Sequence, residues 1–145
     1  MASRDRIVVG GDTTPSASAA LRWAVAEAAS RTSCDVLVVH AFDTAGRADL
    51  AVERDLDRAR KDARYRTQSW VVEVLGDSVL SVPVTVRTPD ASVEDALVAA
   101  STGASLVVIG VPHNGRHQDL DVTLEQRCGC PVRTIPAERS PALAG

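Results

Sequence analysis

The sequence predicts an α/β fold, a single doubly wound domain in which helices cover both faces of a five-stranded parallel sheet. Three observations predict it. Five short runs are apolar at consecutive positions, as in strands that are buried on both faces. Segments with apolar residues at helical spacing separate these runs, and 145 residues are enough for one domain with its own core. We predict that residues 1–136 form the domain and that residues 137–145 form a flexible C-terminal tail.

The N-terminal part of the chain predicts a strand, a helix and a second strand. The first strand, RIVVGG at residues 6–11, is rich in β-branched residues and ends in paired glycines. The helix begins at Pro15 with Thr14 as its cap, because proline suits the first helical turn and the threonine side chain accepts a main-chain N–H. Its apolar residues recur at helical spacing, at Leu21, Ala24, Val25 and Ala28. The second strand is DVLVVHAF, residues 35–42.

A long helix, a short strand and a third helix come next. The long helix covers about residues 50–75. Its apolar residues at helical spacing are Val52, Leu56, Ala59, Ala63, Trp70 and Val74. The third strand is VPVTVRT, residues 82–88, and the third helix is capped by Ser92 and ended by Gly103.

The last part of the chain predicts two more strands on either side of a short helix. The fourth strand is SLVVIGV, residues 105–111, and the fifth is PVRTIP, Pro131 to Pro136. A weak pattern predicts the fourth helix over residues 121–127. The fifth run reads as an edge strand, and its free main-chain groups would favour a homodimer that pairs through this strand.

The composition excludes several classes of function. The net charge of −3 gives no electrostatic basis for binding nucleic acid or an anionic membrane, and only 3 % of the residues are aromatic. No apolar run approaches the roughly 20 residues that span a bilayer. The three cysteines, Cys34, Cys128 and Cys130, do not form a disulfide framework in a chain of this size. We therefore expect a cytoplasmic protein without nucleic acid or membrane partners.

Candidate ligand-binding residues lie where the predicted parallel strands end, because a doubly wound sheet has its crevice at those carboxyl ends. Asp12 follows the first strand, and its carboxylate would accept from ribose hydroxyls or an adenine amine. The same Asp12 also suits a turn or a helix cap without any ligand. Main-chain groups near Ala41 could bind an adenine edge, and glycines from Gly110 to Gly115 could let phosphates reach main-chain N–H groups.

The chain resembles the universal stress protein family along nearly its whole length. The landmarks, in order, are RIVVGGDTTPSASAALRWAVAEA, DVLVVHAF, ASLVVIG and CPVRTIP. The resemblance implies the five-stranded parallel sheet predicted above and a homodimer through the last strand. It also implies that Asp12 faces the ribose and adenine of a bound nucleotide, AMP or ATP, and that the main chain of Ala41 meets the adenine. Many members bind such nucleotides, and others do not.

The phosphate motif of that family, G-x2-G-x9-G-(S/T), is only partly matched. Gly110 corresponds to the first glycine, but the second falls on His113 and the third on Thr123. Leu124 then stands where the family has a hydroxyl residue, and the segment up to Cys130 is several residues shorter than is usual. We therefore predict an adenine-nucleotide pocket that is altered at its phosphate end.

The resulting interpretation is a stress-response protein that acts by binding and is not an enzyme. We find no nucleophile motif and no Walker-type lysine, since Lys61 is the only lysine. One alternative is a competent ATP or AMP binder in which His113, Gly115 and Arg116 hold the phosphates in another geometry. Another alternative is a pure protein-interaction module with a filled crevice and no nucleotide.

A zinc site is a further alternative that the residue types raise. The four candidate ligands are His113, His117, Cys128 and Cys130. The spacing of the two cysteines is not that of a CxxC knuckle, and Cys130 corresponds to an apolar position of the family. We therefore expect no metal, two histidines in an exposed loop and two cysteines with a packing role.

Overall fold

The structure, a computed structural model, describes residues 5–11, 15–42, 53–76, 82–111 and 118–137. Nine elements alternate along the chain. They are β1 (Asp5–Gly10), α1 (Pro15–Ala29), β2 (Cys34–Val39), α2 (Glu53–Leu75), β3 (Val84–Arg87), α3 (Val93–Ser101), β4 (Leu106–Val111), α4 (Gln118–Arg127) and β5 (Val132–Pro136). No helix in these ranges is long and apolar enough to cross a membrane.

The five strands form one all-parallel sheet in the order β3-β2-β1-β4-β5. The chain therefore winds outward from β1 to β3 on one side and then returns to place β4 and β5 on the other side. This arrangement confirms the predicted doubly wound α/β fold. The carboxyl ends of β1 and β4 diverge at the point where the direction changes, which is where such sheets bind ligands.

Two hydrophobic cores lie on opposite faces of the sheet. The α1/α2 core contains Ile7 and Val9 of β1 together with Trp70 and other buried residues of α1, α2 and the strands. The α3/α4 core contains Val8 of β1 together with Leu124 and other buried residues of α3, α4 and the strands. Successive residues of a strand point to opposite faces, so β1 contributes to both cores.

The apolar patterns predict some of the buried helical residues and miss others. In α1, Leu21, Ala24 and Ala28 are buried as expected. In α2, Ala63 and Trp70 are buried as expected, whereas Val71 and Thr67 are also buried although the pattern does not include them. The hydroxyl of Thr67 donates to the Ala63 carbonyl at 2.8 Å, and this bond lets a polar side chain lie inside the core.

The predicted limits of several elements differ from the structure. The second strand ends at Val39 and not at residue 42, and the fourth helix begins at Gln118 and not at residue 121. The N–H of Ala137, the residue after the end of β5, donates to the Val111 carbonyl at 3.0 Å. The rest of the predicted tail, residues 138–145, lies outside the described residues.

Helix α3 has the ends that the sequence predicts. The side chain of Ser92 accepts from the N–H of Asp95 at 3.1 Å, and Gly103 just beyond the helix has φ of +79°, a conformation that favours glycine. Arg127 at the end of α4 contacts the carboxylates of Glu94 and Asp95 in the first turn of α3. This ion cluster connects the two helices that cover one face of the sheet. Thr14, the predicted cap of α1, lies outside the described residues.

Candidate functional site

A crevice opens at the carboxyl ends of β1, β2 and β4 and encloses about 100 Å³. Its walls are mainly apolar side chains from α3, α4 and the sheet. These are Val39, Val93, Leu97, Ile109 and Leu120, and the small residues Gly10, Gly11, Ala17, Ala41 and Gly110 complete the lining with His40. An apolar slot with a few exposed main-chain groups suits a flat aromatic ring better than a charged group.

Gly110 at the end of β4 lies directly against the first turn of α1. A Cβ atom at this position would lie 2.1 Å from the main-chain oxygen of Ser16 and 2.7 Å from the main-chain nitrogen of Ala17. Cβ atoms almost never approach other atoms closer than 3.0 Å. The absence of a side chain therefore allows α1 to begin at the crevice.

Gly11 permits a second close contact, on the same α1/α2 face of the sheet. A Cβ atom here would lie 2.7 Å from a methyl group of Val38 and 3.2 Å from the indole of Trp70. The indole N–H of Trp70 also donates to the Ser18 hydroxyl at 3.2 Å, which connects α2 to α1. The main chain at the end of β1 is therefore packed closely from the α2 side.

The main chain at the end of β2 has an interrupted hydrogen-bond ladder. The N–H of Gly11 donates to the Val39 carbonyl, and the N–H of His40 donates to the Arg87 carbonyl, both at 2.9 Å. The Gly11 carbonyl is bonded to the imidazole Nδ1 of His40. Ala41, by contrast, makes no main-chain hydrogen bond to any residue that the structure describes. Ala41 is one of the residues that line the crevice.

Two of the predicted site residues, Ala41 and Gly110, lie together on this crevice. The other three, Asp12, His113 and Gly115, lie outside the described residues, as does Arg116. Sequence reasoning places His40 beside Ala41 at the end of the second strand but assigns it no role. The signal that could have indicated a role is a polar residue directly after the buried apolar run at residues 36–39.

The residues aligned with the end of the family's phosphate motif lie inside a helix. Thr123 and Leu124 belong to the middle of α4, and Leu124 has no solvent-exposed surface. Leu124 packs there among the residues of the α3/α4 core. The helix itself begins at Gln118, shortly after β4 ends at Val111.

The cysteines considered for a zinc site pack against the α3/α4 core. Cys128 and Cys130 are both half-buried beside it, and burial, followed by the neighbouring Cys128, raises the pKa of the Cys130 thiol. A raised pKa disfavours the thiolate that zinc requires. The candidate histidines, His113 and His117, lie outside the described residues. No group of three possible ligands occurs within the described ranges.

The comparison with known families and structures gives a consistent result. The model of the Universal stress protein family matches residues 3–135. No curated protein sequence is a significant match.

Several solved structures share the fold. The universal stress protein of Archaeoglobus fulgidus is 24 % identical, with 90 % of this chain and 93 % of that chain covered and a TM-score of 0.66. A universal stress protein in complex with cAMP is 17 % identical, with 94 % and 100 % covered and a TM-score of 0.61. A family member from Arabidopsis thaliana with AMP bound is 14 % identical, with 92 % of each chain covered and a TM-score of 0.63.

Proposed function

Because the chain belongs to the universal stress protein family, we propose that it binds an adenine nucleotide, AMP or ATP, in the crevice at the carboxyl ends of β1, β2 and β4. Under this proposal it acts in a stress response by binding and does not turn the nucleotide over. We also infer a cytoplasmic location, which suits the three unpaired cysteines Cys34, Cys128 and Cys130.

The observation that carries the proposal is Ala41 on the crevice, whose main chain makes no hydrogen bond to any residue in the described ranges. Main-chain N–H and C=O groups that are removed from water without hydrogen-bond partners destabilise the protein. A ligand with a matching acceptor and donor removes this penalty when it binds. The edge of adenine offers a ring-nitrogen acceptor beside an amine donor. The apolar walls, including Val93, Leu97 and Leu120, would then contact the faces of the ring.

Structures of relatives are consistent with this class of ligand. One universal stress protein is in complex with cAMP and another family member has AMP bound. Both ligands contain the adenosine moiety with one phosphorus. We propose that the crevice of this chain binds the part that the two ligands share, the adenosine.

We further propose that the phosphate end of the pocket is altered. Leu124 lies in the α3/α4 core at the position where the family motif has a phosphate-binding hydroxyl residue. A charge-assisted hydrogen bond of that kind contributes roughly 1.5–3 kcal/mol. Losing it would reduce the advantage of ATP over AMP, so the base and ribose would supply most of the affinity.

Thermal unfolding with added ligands tests this proposal. We expect adenosine, AMP and ATP at millimolar concentration to raise the melting temperature by similar amounts. A ligand at 100 times its Kd stabilises by about 2.7 kcal/mol, which corresponds to a rise of roughly 8 °C for a domain of this size. GMP and ribose 5-phosphate are the controls, because the first presents a different base edge and the second has no base.

The possible outcomes distinguish the candidate functions. A shift with ATP that greatly exceeds those with AMP and adenosine would contradict an altered phosphate end and favour a competent ATP binder. No shift with any adenine compound would contradict nucleotide binding and favour a protein-interaction module. Equal shifts with GMP and AMP would contradict recognition of the adenine edge by Ala41.

We infer in addition that two copies of the chain pair through β5. The N–H of Val107 donates to the Pro131 carbonyl and the N–H of Ala137 donates to the Val111 carbonyl, both at 3.0 Å. The hydrogen bonds of a strand alternate between its two sides, so the N–H groups of Val132 and Thr134 point away from β4. No described strand pairs with these outward groups, and a second copy could pair with them.

A proline at residue 134 tests the pairing. Thr134→Pro removes one outward N–H but none of the bonds to β4, so we expect a monomer that keeps its fold, because edge strands tolerate proline. Light scattering at working concentration should give a dimer mass for the wild type and for the control Thr134→Val, which keeps the N–H. A monomeric wild type, or a Thr134→Pro variant that remains dimeric, would contradict pairing through β5.

A further inference from the structure

We infer that His40 is a positioning residue for the adenine ring. Its imidazole is hydrogen-bonded to the Gly11 carbonyl, which is the acceptor that the Ala41 N–H would have in a continued β1–β2 ladder. The inference rests on the proposed binding of adenine at Ala41. It adds a residue whose side chain keeps that part of the site open.

The ladder between β1 and β2 shows which bond is missing. Gly10 pairs with Val39, and the N–H of Gly11 donates to the Val39 carbonyl at 2.9 Å. The hydrogen bonds of a parallel ladder are evenly spaced, so the next bond would run from the N–H of Ala41 to the Gly11 carbonyl. That bond is absent, and the Gly11 carbonyl is bonded to the His40 ring instead.

The other side of β2 holds the same stretch of main chain in place. The N–H of His40 donates to the Arg87 carbonyl at 2.9 Å, and the N–H of Phe42 donates to the Pro89 carbonyl at 2.8 Å. The chain after β2 therefore continues alongside the residues that follow β3 while its β1 side stays open. Pro89 has no N–H, so it offers no donor to the His40 carbonyl.

The orientation of the His40 ring indicates how this residue could affect a bound ligand. A carbonyl oxygen only accepts, so Nδ1 carries the proton and donates it to Gly11. Val38 packs in the α1/α2 core and Val39 in the α3/α4 core, and strand alternation then places the His40 side chain on the α1/α2 face. Ala41 packs on the opposite face, beside the crevice. His40 also lines the crevice, and the inferred role acts through its bond to the Gly11 carbonyl, the acceptor that Ala41 would have in a continued ladder.

The test compares His40→Leu with His40→Asn. Leucine cannot donate to the Gly11 carbonyl, which leaves this carbonyl for the N–H of Ala41. Asparagine can donate from its side-chain amide and should preserve the wild-type arrangement. Thermal unfolding of both variants without ligand establishes that they are folded.

The first measurement is amide hydrogen exchange at Ala41 without ligand. We expect fast exchange in the wild type and in His40→Asn, and exchange at least tenfold slower in His40→Leu, because a new main-chain bond would protect the N–H. The second measurement is binding of adenosine, AMP and ribose 5-phosphate. We expect His40→Leu to bind adenosine and AMP about tenfold more weakly, the effect of one hydrogen bond, with no change for ribose 5-phosphate.

The outcomes separate this inference from the proposed function. If the wild type binds AMP and His40→Leu binds it equally well, or if Ala41 is already protected in the wild type, the positioning role is overturned while nucleotide binding stands. If His40→Asn loses affinity as His40→Leu does, the bond to Gly11 is not what matters and the role is again overturned. If the wild type binds no adenine compound, the proposed function is overturned and the positioning role with it.

Discussion

Replacing Gly110 by alanine is expected to destabilise the protein by about 3 kcal/mol or more, because the new methyl group would overlap main-chain atoms and not flexible side chains. The alanine Cβ would lie 2.1 Å from the Ser16 oxygen and 2.2 Å from its carbonyl carbon. The first turn of α1 would have to move away from β4 by roughly 1 Å to restore the 3.0 Å limit of such contacts. Helix α1 packs against β4 and β1 through Ala17, Ala20 and Leu21, so this displacement would disturb the α1/α2 core.

Urea-induced unfolding measures the effect on stability, and we expect the midpoint to fall without a large change in slope. The control is Gly129→Ala, since nothing lies within 4 Å of a Cβ atom at this exposed position and its φ is not positive. We expect this control to remain within about 1 kcal/mol of the wild type. A Gly110→Ala variant as stable as Gly129→Ala would contradict the close approach of α1 to β4.

Replacing Leu124 by alanine is expected to cost 2–5 kcal/mol, the range measured when a fully buried leucine is truncated to leave a cavity. Leu124 has no exposed surface and packs in the α3/α4 core with Leu97 and Ile109. Val122 on the same helix provides the control, because its side chain is 50 % exposed and Val122→Ala should change stability by well under 1 kcal/mol. Chemical unfolding of the two variants makes the comparison, and similar losses would contradict the burial of Leu124.

A substitution at the same position tests whether a hydroxyl residue there can restore phosphate binding. Leu124→Thr supplies a hydroxyl residue at the aligned position, but inside the α3/α4 core it would bury a polar group and lose apolar contacts. We therefore expect it to destabilise the fold and to leave the affinity for ATP relative to AMP unchanged. A gain in ATP affinity would mean that residue 124 can reach a phosphate.

The fold could be predicted because buried parallel strands and amphipathic helices leave strong patterns, but their ends could not. The predicted second strand extends to residue 42, yet β2 ends at Val39, next to the point where the His40 ring is bonded to the Gly11 carbonyl. Helix α4 was predicted to begin too late because its contact with the core depends largely on Leu120 and Leu124, which is too few residues for a clear period.

The candidate site was predicted in part for a similar reason. Ala41 and Gly110 follow buried strands, and the ends of parallel strands meet at one edge of the sheet, so their position could be inferred from order alone. The role of His40 depends on which acceptor its ring meets in three dimensions, and no local pattern contains that information. The same holds for the contact of Gly110 with Ser16, which lies on a distant segment of the chain.

The central place of β1 has a consequence for how the protein loses its structure. Its consecutive residues Ile7, Val8 and Val9 are fully buried and alternate between the two hydrophobic layers. Unfolding of either core would therefore expose β1, which also contributes to the other core. A chain organised in this way unfolds as one cooperative unit, and damage introduced on one face of the sheet lowers the melting temperature of the whole domain.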